Sequence, residues 1–334
     1  MNKIRVAING FGRIGRVFLR LAEQNNEIEI VAINDLTDPK TLCHLLKYDS
    51  VHRAFPGELS HGNDFIMING RKVQVFAEKD PSQLNWASLK VDLVVESTGK
   101  FLDRAGAYKH IEAGAKKVII SAPAKDPDIK AVVLGVNDHI LNDSDIIVSN
   151  ASCTTNCAAP MIQVLKKWGI QDVYITTVHS YTGDQRLHDA PHKDLRRARA
   201  AAMSIVPTST GAAKAITKIF PDLEGKIGGC GMRVPVPDGS LTDITCVLDS
   251  YPKVEEINLA FKEASQTKLK GVLEYTEDPI VSTDVIGNPH SCVFDADFTS
   301  IVGNMVKIIG WYDNEMGYSS RLVELAVRMG SNLK

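Results

Sequence analysis

The chain has 334 residues, room for two domains at roughly 150 residues each, so it can bury a substantial core. Lysine and arginine (38) nearly balance aspartate and glutamate (40), and the formal charge of −2 leaves no basic field to hold nucleic acid or an anionic membrane. A hydrophobic fraction of 44% with 23% charged residues excludes disorder as the main state.

No window reaches the roughly 18 apolar residues of a membrane span. Met1-Asn2-Lys3 leads into an alternating segment rather than a signal-like apolar block, so the protein is expected in the cytoplasm. Cys43, Cys153, Cys157, Cys230, Cys246 and Cys292 are too scattered for a disulfide framework and lack paired metal spacing. Free thiols and no bound metal are the expectation.

From the start, short apolar runs alternate with helix-length amphipathic stretches: Ile4 to Ile8, Ile14 to Glu23, Ile28 to Ile33, Pro39 to Lys47. That rhythm predicts βαβ units and a parallel sheet. Further buried strands are predicted at Leu93 to Glu96, Val118 to Ser121 and Ile146 to Ser149, with a helix at Ala105 to Ala113. A doubly wound α/β domain therefore occupies residues 1–150, with a boundary near Ala151. Beyond it, Val173 to His179, Arg233 to Pro237, Thr242 to Leu248, Val293 to Asp297 and Val306 to Tyr312 are β-branched and alternating, which predicts an α+β domain with a mixed or antiparallel sheet over 151–315. Helices are predicted at Thr210 to Ile219, Val254 to Ser265 and Ser319 to Met329. The last belongs to a terminal stretch of about 316–334 expected to return to the first domain. No internal repeat is visible.

Gly10-Phe11-Gly12-Arg13-Ile14-Gly15 follows a predicted strand and opens a predicted helix, and Asp35 closes a second apolar strand 20 residues after Gly15. Glycines in that setting allow a tight turn and bring backbone amides to a pyrophosphate at a helix N-terminus, while the carboxylate holds a ribose diol. A plain turn with a capping aspartate would explain neither the spacing nor the βαβ context. The first domain is accordingly read as Rossmann-type. Asp35 would face a 2′-phosphate at a cost of about 1–4 kcal/mol for charges about 4 Å apart, so NAD is favoured over NADP.

Cys153, in Ser149-Asn150-Ala151-Ser152-Cys153-Thr154-Thr155-Asn156-Cys157, sits between a strand and a helical stretch, hence at a helix N-terminus. An ordinary thiol of pKa about 8.5 is only about 3% ionised at neutral pH, and the helix dipole is expected to lower that pKa. Cys157, one turn further, is expected to face the core. His179 ends an apolar strand and is the candidate base and acid, although sequence alone does not bring it to the thiol. Arg196-Arg197-Ala198-Arg199, Thr208-Ser209-Thr210-Gly211 at a predicted helix start, and Arg233 provide separated donors suited to two anion positions.

Ala7 to Arg16, Ser149 to Cys157, His179-Ser180-Tyr181-Thr182, Asp194 to Arg199 and Trp311-Tyr312-Asp313-Asn314-Glu315 together resemble the phosphorylating glyceraldehyde-3-phosphate dehydrogenases over essentially the whole chain. The resemblance implies an NAD-dependent oxidation of a triose phosphate to an acyl phosphate, in glycolysis, with inorganic phosphate as co-substrate. Cys153 would form a hemithioacetal and then a thioester, with His179 activating it. Thr182 and Arg233 would hold the substrate phosphate; Ser152, Thr154, Arg197, Thr210 and Gly211 would contact the attacking phosphate or the substrate. Gly10, Gly12, Arg13, Ile14, Gly15, Asp35, Lys79 and Ser121 would line the cofactor, with Asn314 on the nicotinamide carboxamide. The segment from Ser180 to Arg199 is similar to the loop that reaches a neighbouring subunit in the family's homotetramer.

Three departures stand out: Ala190 before Pro191 where leucine is usual, Met316 in place of tryptophan, and Gly183-Asp184. Alternatives are an erythrose-4-phosphate dehydrogenase, a Cys-His hydrolase, which would leave the glycine fingerprint unexplained, and a binding protein that lost turnover.

Overall fold

In a computed structural model of the chain, residues 3–331 and 333 are described; Met1, Asn2, Asn332 and Lys334, with the last positions of the expected terminal helix, lie outside the described residues. Two units divide the chain: Met1–Val132 with His139–Ala151 and Ser319–Lys334, and Val133–Asp138 with Ser152–Tyr318.

The first unit carries β1 (Ile4–Asn9), α1 (Arg13–Ala22), β2 (Ile28–Asn34), α2 (Pro39–Lys47), β3 (Leu59–His61), β4 (Phe65–Ile68), β5 (Arg71–Phe76), β6 (Leu93–Glu96), α3 (Arg104–Glu112), β7 (Lys117–Ile120) and β8 (Ile147–Ser149). The strand order is β3-β4-β5-β2-β1-β6-β7-β8, with parallel pairing from β5 to β8. Strands such as β6, buried at every position, are apolar on both faces because helices cover both sides of a parallel sheet. At one edge, β3 and β4 pair antiparallel, an extension the strand pattern did not predict. Its signal was Asn69-Gly70, both at positive φ, which closes the β4–β5 hairpin. Asp38 and Asp103 cap α2 and α3 through the amides of Thr41 and Gly106.

The second unit contains α4 (Cys153–Leu165), β9 (Ile170–Ser180), β10 (Val206–Thr208), α5 (Ala212–Ile219), β11 (Ile227–Val234), β12 (Ser240–Leu248), α6 (Val254–Gln266), β13 (Leu273–Thr276), β14 (Cys292–Val302) and β15 (Met305–Tyr312); α7 (Met316–Ser331) follows. The order is β10-β11-β9-β12-β15-β14-β13, parallel at β11–β9 and β13–β14 and antiparallel elsewhere, hence a mixed sheet. β12 alternates strictly, sending Ser240, Thr242, Ile244, Cys246 and Leu248 inward. α4 is buried almost all round and packs on β9, β12, β14 and β15, which holds its N-terminus at the sheet.

β11 begins six residues before the predicted Arg233 because Gly228, Gly229 and Gly231 mask it. Those glycines have a packing reason: a Cβ on Gly229 would stand 2.9 Å from the Ile175 carbonyl oxygen of β9. Among the described residues no helix is long and apolar enough to cross a membrane.

Candidate active site

A cavity of about 450 Å³ opens at the carboxyl ends of the first unit's strands, lined by Asn9, Gly10, Gly12, Asn34, Asp35, Leu36, Glu78, Lys79, Ser97, Thr98, Lys100 and Phe101. Gly10, at φ +92°, is required there: a Cβ would lie 2.7 Å from the Thr98 nitrogen and 2.8 Å from the Ser97 carbonyl carbon. Gly12 is the N-cap of α1, offers no capping side chain and faces open space, so the first-turn amides suit an anion. Asp35 is clamped by two amides, Oδ2 accepting from Phe11 N at 2.8 Å and Oδ1 from Thr37 N at 3.0 Å.

Gly10, Gly12, Asp35 and Lys79 therefore meet at this cavity, whereas Arg13, Ile14, Gly15 and Ser121 lie outside its lining. Gly15 packs beneath the loop, where a Cβ would stand 2.4 Å from the Gly10 carbonyl oxygen. Arg13 Nη1 pairs with Asp49 Oδ2 at 2.6 Å. Burial works against the Asp49 carboxylate, but the amides of His52 and Val51 and the Arg13 guanidinium pull its pKa down to about 2. Ser121 donates its amide to the Glu96 carbonyl, behind the end of β6.

In the second unit, Cys153 is the first residue of α4, and the N-cap Ser152 accepts the Thr155 amide at 3.1 Å. Cys153 Sγ lies 3.4 Å from His179 Nε2, so the two candidates from distant stretches meet. On the far side of the ring, Nδ1 is 2.8 Å from the Ser180 carbonyl and 2.6 Å from Arg233 Nη1, placed there by the parallel register Arg233↔His179. The ring has one proton to share, so these contacts define two arrangements. With Nδ1–H on Ser180, Nε2 presents a lone pair to the sulfur; with Nδ1 accepting from Arg233, Nε2–H points at it.

The expected fall in the thiol pKa is not met. Burial pushes the Cys153 thiol up to about 11, against the opposing Arg233 charge and the Thr154 amide. Burial and Arg233 push His179 down to about 3. Burial is the largest cause of both shifts, and both favour the uncharged forms, a thiol facing a neutral imidazole.

Asp184 gathers the anion-site candidates. Arg197 Nη1 reaches Asp184 Oδ2 at 2.5 Å, while Arg197 Nε and Nη2 donate to Thr208 Oγ1 at 3.0 and 2.6 Å. The Thr182 hydroxyl donates to the same carboxylate. Burial opposes ionisation of Asp184, but the Thr182 bond and the charges of Arg233 and Arg197 hold its pKa below the usual range. Thr210 Oγ1 accepts the Ala212 amide, and Gly211 is the uncapped N-cap of α5. Ser152 and Thr154 are engaged internally, Ser152 as a cap and Thr154 through its hydroxyl to Tyr312 Oη at 3.0 Å. Asn314 Oδ1 accepts from the hydroxyls of Ser180 (2.9 Å) and Ser240 (2.7 Å).

Sequence reasoning missed the roles of Asp184 and Tyr312. Tyr312 also donates or accepts at Thr177 Oγ1 (2.9 Å) and stands edge-on to His179, with ring centroids 5.9 Å apart. Asp184 carried a visible signal, an acid two residues from a proposed phosphate ligand.

Two family descriptions match the chain: "Glyceraldehyde 3-phosphate dehydrogenase, NAD binding domain" over residues 4–104 and "Glyceraldehyde 3-phosphate dehydrogenase, C-terminal domain" over 152–314. The chain is 54% identical over 334 residues to glyceraldehyde-3-phosphate dehydrogenase 2 of Streptomyces avermitilis, covering 99% of both proteins. It is likewise 54% identical to the glyceraldehyde-3-phosphate dehydrogenases of Mycobacterium avium, covering 99% of both, and Geobacillus stearothermophilus, covering 98% of both. Identity at this level spans the glycine loop, the thiol helix and the histidine strand together, and the chain belongs to the glyceraldehyde-3-phosphate dehydrogenase family.

Proposed function

We propose that the chain performs the phosphorylating oxidation of glyceraldehyde 3-phosphate to an acyl phosphate, with Cys153 as nucleophile and His179 as its proton partner. The observation that carries this reading is the 3.4 Å approach of Cys153 Sγ to His179 Nε2, with Arg233 on the same imidazole.

His179, in the arrangement with Nδ1–H on Ser180, takes the thiol proton through Nε2, and the sulfur adds to the aldehyde carbon. The protonated ring then donates to the oxygen of the hemithioacetal. Gly10, Gly12, Asp35 and Lys79 would hold NAD, with Arg13, Ile14, Gly15 and Ser121 also lining the cofactor, and Asn314 would contact the nicotinamide carboxamide. NAD, when bound, supplies the hydride acceptor. Oxidation would require the hemithioacetal hydroxyl to return its proton to His179 Nε2 as the hydride leaves, giving a thioester on Cys153; inorganic phosphate then attacks its carbonyl carbon, and the Cys153 sulfur leaves and takes the proton back from His179. Arg233 and Thr182 hold the substrate phosphate, and Arg197, Thr210 and Gly211, with Ser152 and Thr154 beside the thiol, contact the attacking phosphate or the substrate.

We further place the protein in the cytoplasm as a homotetramer. Support comes from the resemblance of Ser180 to Arg199 to the family's intersubunit loop, and from the exposed side chains of Leu187, Leu195, Met203 and Ile205 on and just after it.

The test is NADH formation from glyceraldehyde 3-phosphate with and without inorganic phosphate, with erythrose 4-phosphate and NADP in parallel, on the protein and on Cys153→Ser. Phosphate-dependent reduction of NAD by the triose, lost in Cys153→Ser, is expected. Phosphate-independent turnover, or preference for the tetrose, would overturn the anion-site assignment, and acyl hydrolysis without NAD use would favour a Cys-His hydrolase.

A further inference from the structure

The last residues of three neighbouring strands, Asn34 of β2, Asn9 of β1 and Glu96 of β6, stand side by side in register. They are also joined through their side chains. Asn34 Nδ2 donates to Asn9 Oδ1 at 2.7 Å, and Asn9 Nδ2 donates to Glu96 Oε2 at 2.5 Å. Glu96 Oε1 accepts both the amide of Thr98, at 2.8 Å, and the Thr98 hydroxyl. At the other end, Asn34 exchanges two bonds with the backbone of Glu78.

Behind this row, His110 of α3 sits with Nε2 at 3.1 Å from Glu96 Oε2 and Nδ1 at 3.1 Å from Trp86 Nε1. The indole N–H can only donate, so Nδ1 is the acceptor and the ring proton lies on Nε2, directed at the carboxylate. Glu96, His110 and Trp86 are fully buried.

We propose that the buried Glu96–His110 pair, braced by Trp86, is a positioning unit of the dinucleotide site: it fixes the side chains of Asn9, Asn34 and Thr98 that line the cavity, and thereby sets cofactor affinity without touching reacting atoms. The inference rests on the reading of that cavity as the NAD site.

A buried carboxylate with its partner is weak evidence for stability, since an apolar group of similar volume packs as well without the desolvation cost. What this cluster achieves is orientation. Its four hydrogen bonds to Glu96 use both carboxylate oxygens as acceptors, and the connected chain of bonds runs through four residues of the cavity wall: Asn9, Asn34, Glu78 and Thr98. It lies at the carboxyl ends of β2, β1 and β6, which is where open α/β sheets place their ligands.

Glu96→Gln is the sharp perturbation because it is isosteric and cannot satisfy this set. An amide NH₂ in place of Oε2 faces the donors Asn9 Nδ2 and His110 Nε2–H, and in place of Oε1 it faces the Thr98 amide. Trp86→Phe removes the outermost bond and leaves an aromatic ring in the buried site, with some loss of packing volume. Calorimetric titration with NAD and with ADP-ribose, together with steady-state kinetics, reads the effect on the full chain.

Glu96→Gln is expected to raise Kd for both ligands and KM for NAD about tenfold, the scale of losing a charge-assisted bond. kcat at saturating NAD and KM for the triose and phosphate should stay within about twofold, and Trp86→Phe should show a smaller shift of the same kind. A merely structural role would lower thermal stability and leave that KM-against-kcat split absent. Unchanged NAD affinity in folded Glu96→Gln overturns the proposal, as does unchanged affinity in Trp86→Phe if Glu96→Gln does not fold. If Asp35→Asn still alters cofactor preference, the cavity reading survives that failure; if neither variant moves NAD binding, the cavity reading itself has failed.

Discussion

Asp35→Asn separates charge from hydrogen bonding at the cofactor cavity. The carboxylate accepts from Phe11 N at 2.8 Å and Thr37 N at 3.0 Å, and an asparagine retains one carbonyl oxygen to anchor the glycine loop while losing the charge. The ionisable lining comprises Asp35 and Glu78 against Lys79 and Lys100, so the substitution turns a balanced wall into a positive one. A 2′-phosphate about 4 Å from Asp35 meets a repulsion of about 1 kcal/mol per charge pair in water-like surroundings and about 4 kcal/mol near a protein surface. Removing it shifts the NADP to NAD ratio of kcat/KM by about fivefold at the low end and about a thousandfold at the high end. Asp35 is half-buried, which places the expectation between these ends and makes it salt-dependent. The measurement is kcat/KM for both cofactors at two ionic strengths, with a shift of at least about fivefold that shrinks as salt rises. An unchanged ratio with a higher KM for NAD would show that Asp35 serves only to tether Phe11, and would refute the charge argument.

Gly10→Ala should weaken NAD binding more than about tenfold and lower the melting temperature, because its Cβ at φ +92° meets backbone atoms of Ser97 and Thr98 that cannot swing aside. Wild-type affinity and stability would contradict that close approach. Tyr312→Phe strips the buried hydroxyl shared by Thr154 and Thr177, so urea denaturation should show a loss of about 1–3 kcal/mol. Because Thr154 adjoins Cys153 in the first turn of α4, kcat should fall more than KM rises, and equal stability in the two proteins would refute the bridge. Asp49 is depressed from 3.8 to about 2, so the folded state binds fewer protons than the unfolded one; its contribution is complete above about pH 4 and lost as pH falls through 2. Asp49→Asn should therefore cost about 2 kcal/mol at pH 7, and chemical denaturation at pH 3 should find the gap roughly halved. A gap independent of pH would assign the loss to packing.

The alternation of apolar runs and amphipathic helices made the parallel core readable, since strands buried on both faces declare themselves by composition alone. Several strands escaped, and two cases show opposite reasons. β11 is written in glycines, which have low strand propensity and are there because the Ile175 carbonyl and the Tyr174 ring approach too closely for a Cβ. β3 and β4 form a short antiparallel edge whose only strong mark is Asn69-Gly70. Gly10, Gly12 and Asp35 of the glycine fingerprint line one cavity, but a motif spans contiguous residues, and within it Arg13 pairs with Asp49 while Gly15 packs tightly beneath the Gly10 carbonyl. The supporting row of Asn34, Asn9 and Glu96 exists only through strand register, which no local pattern records.

Protonation is further still from sequence. Cys153 at a helix N-terminus and His179 at a strand end both invite a reading of ready-made ions, yet the thiol is pushed up to about 11 and the imidazole down to about 3, each mainly by burial. The same guanidinium acts oppositely on the two: Arg233 favours the thiolate and disfavours the imidazolium. Its position comes from the parallel pairing of β11 with β9, which sets it 2.6 Å from His179 Nδ1. An anion that draws Arg233 toward itself weakens its hold on Nδ1, and the ring can then direct that proton to Ser180 and turn its Nε2 lone pair to the sulfur. In the proposed reading, where Arg233 holds the substrate phosphate, the ring tautomer that faces the sulfur therefore depends on whether that anion site is filled, through a contact set by strand register and not by the cysteine's place on its helix.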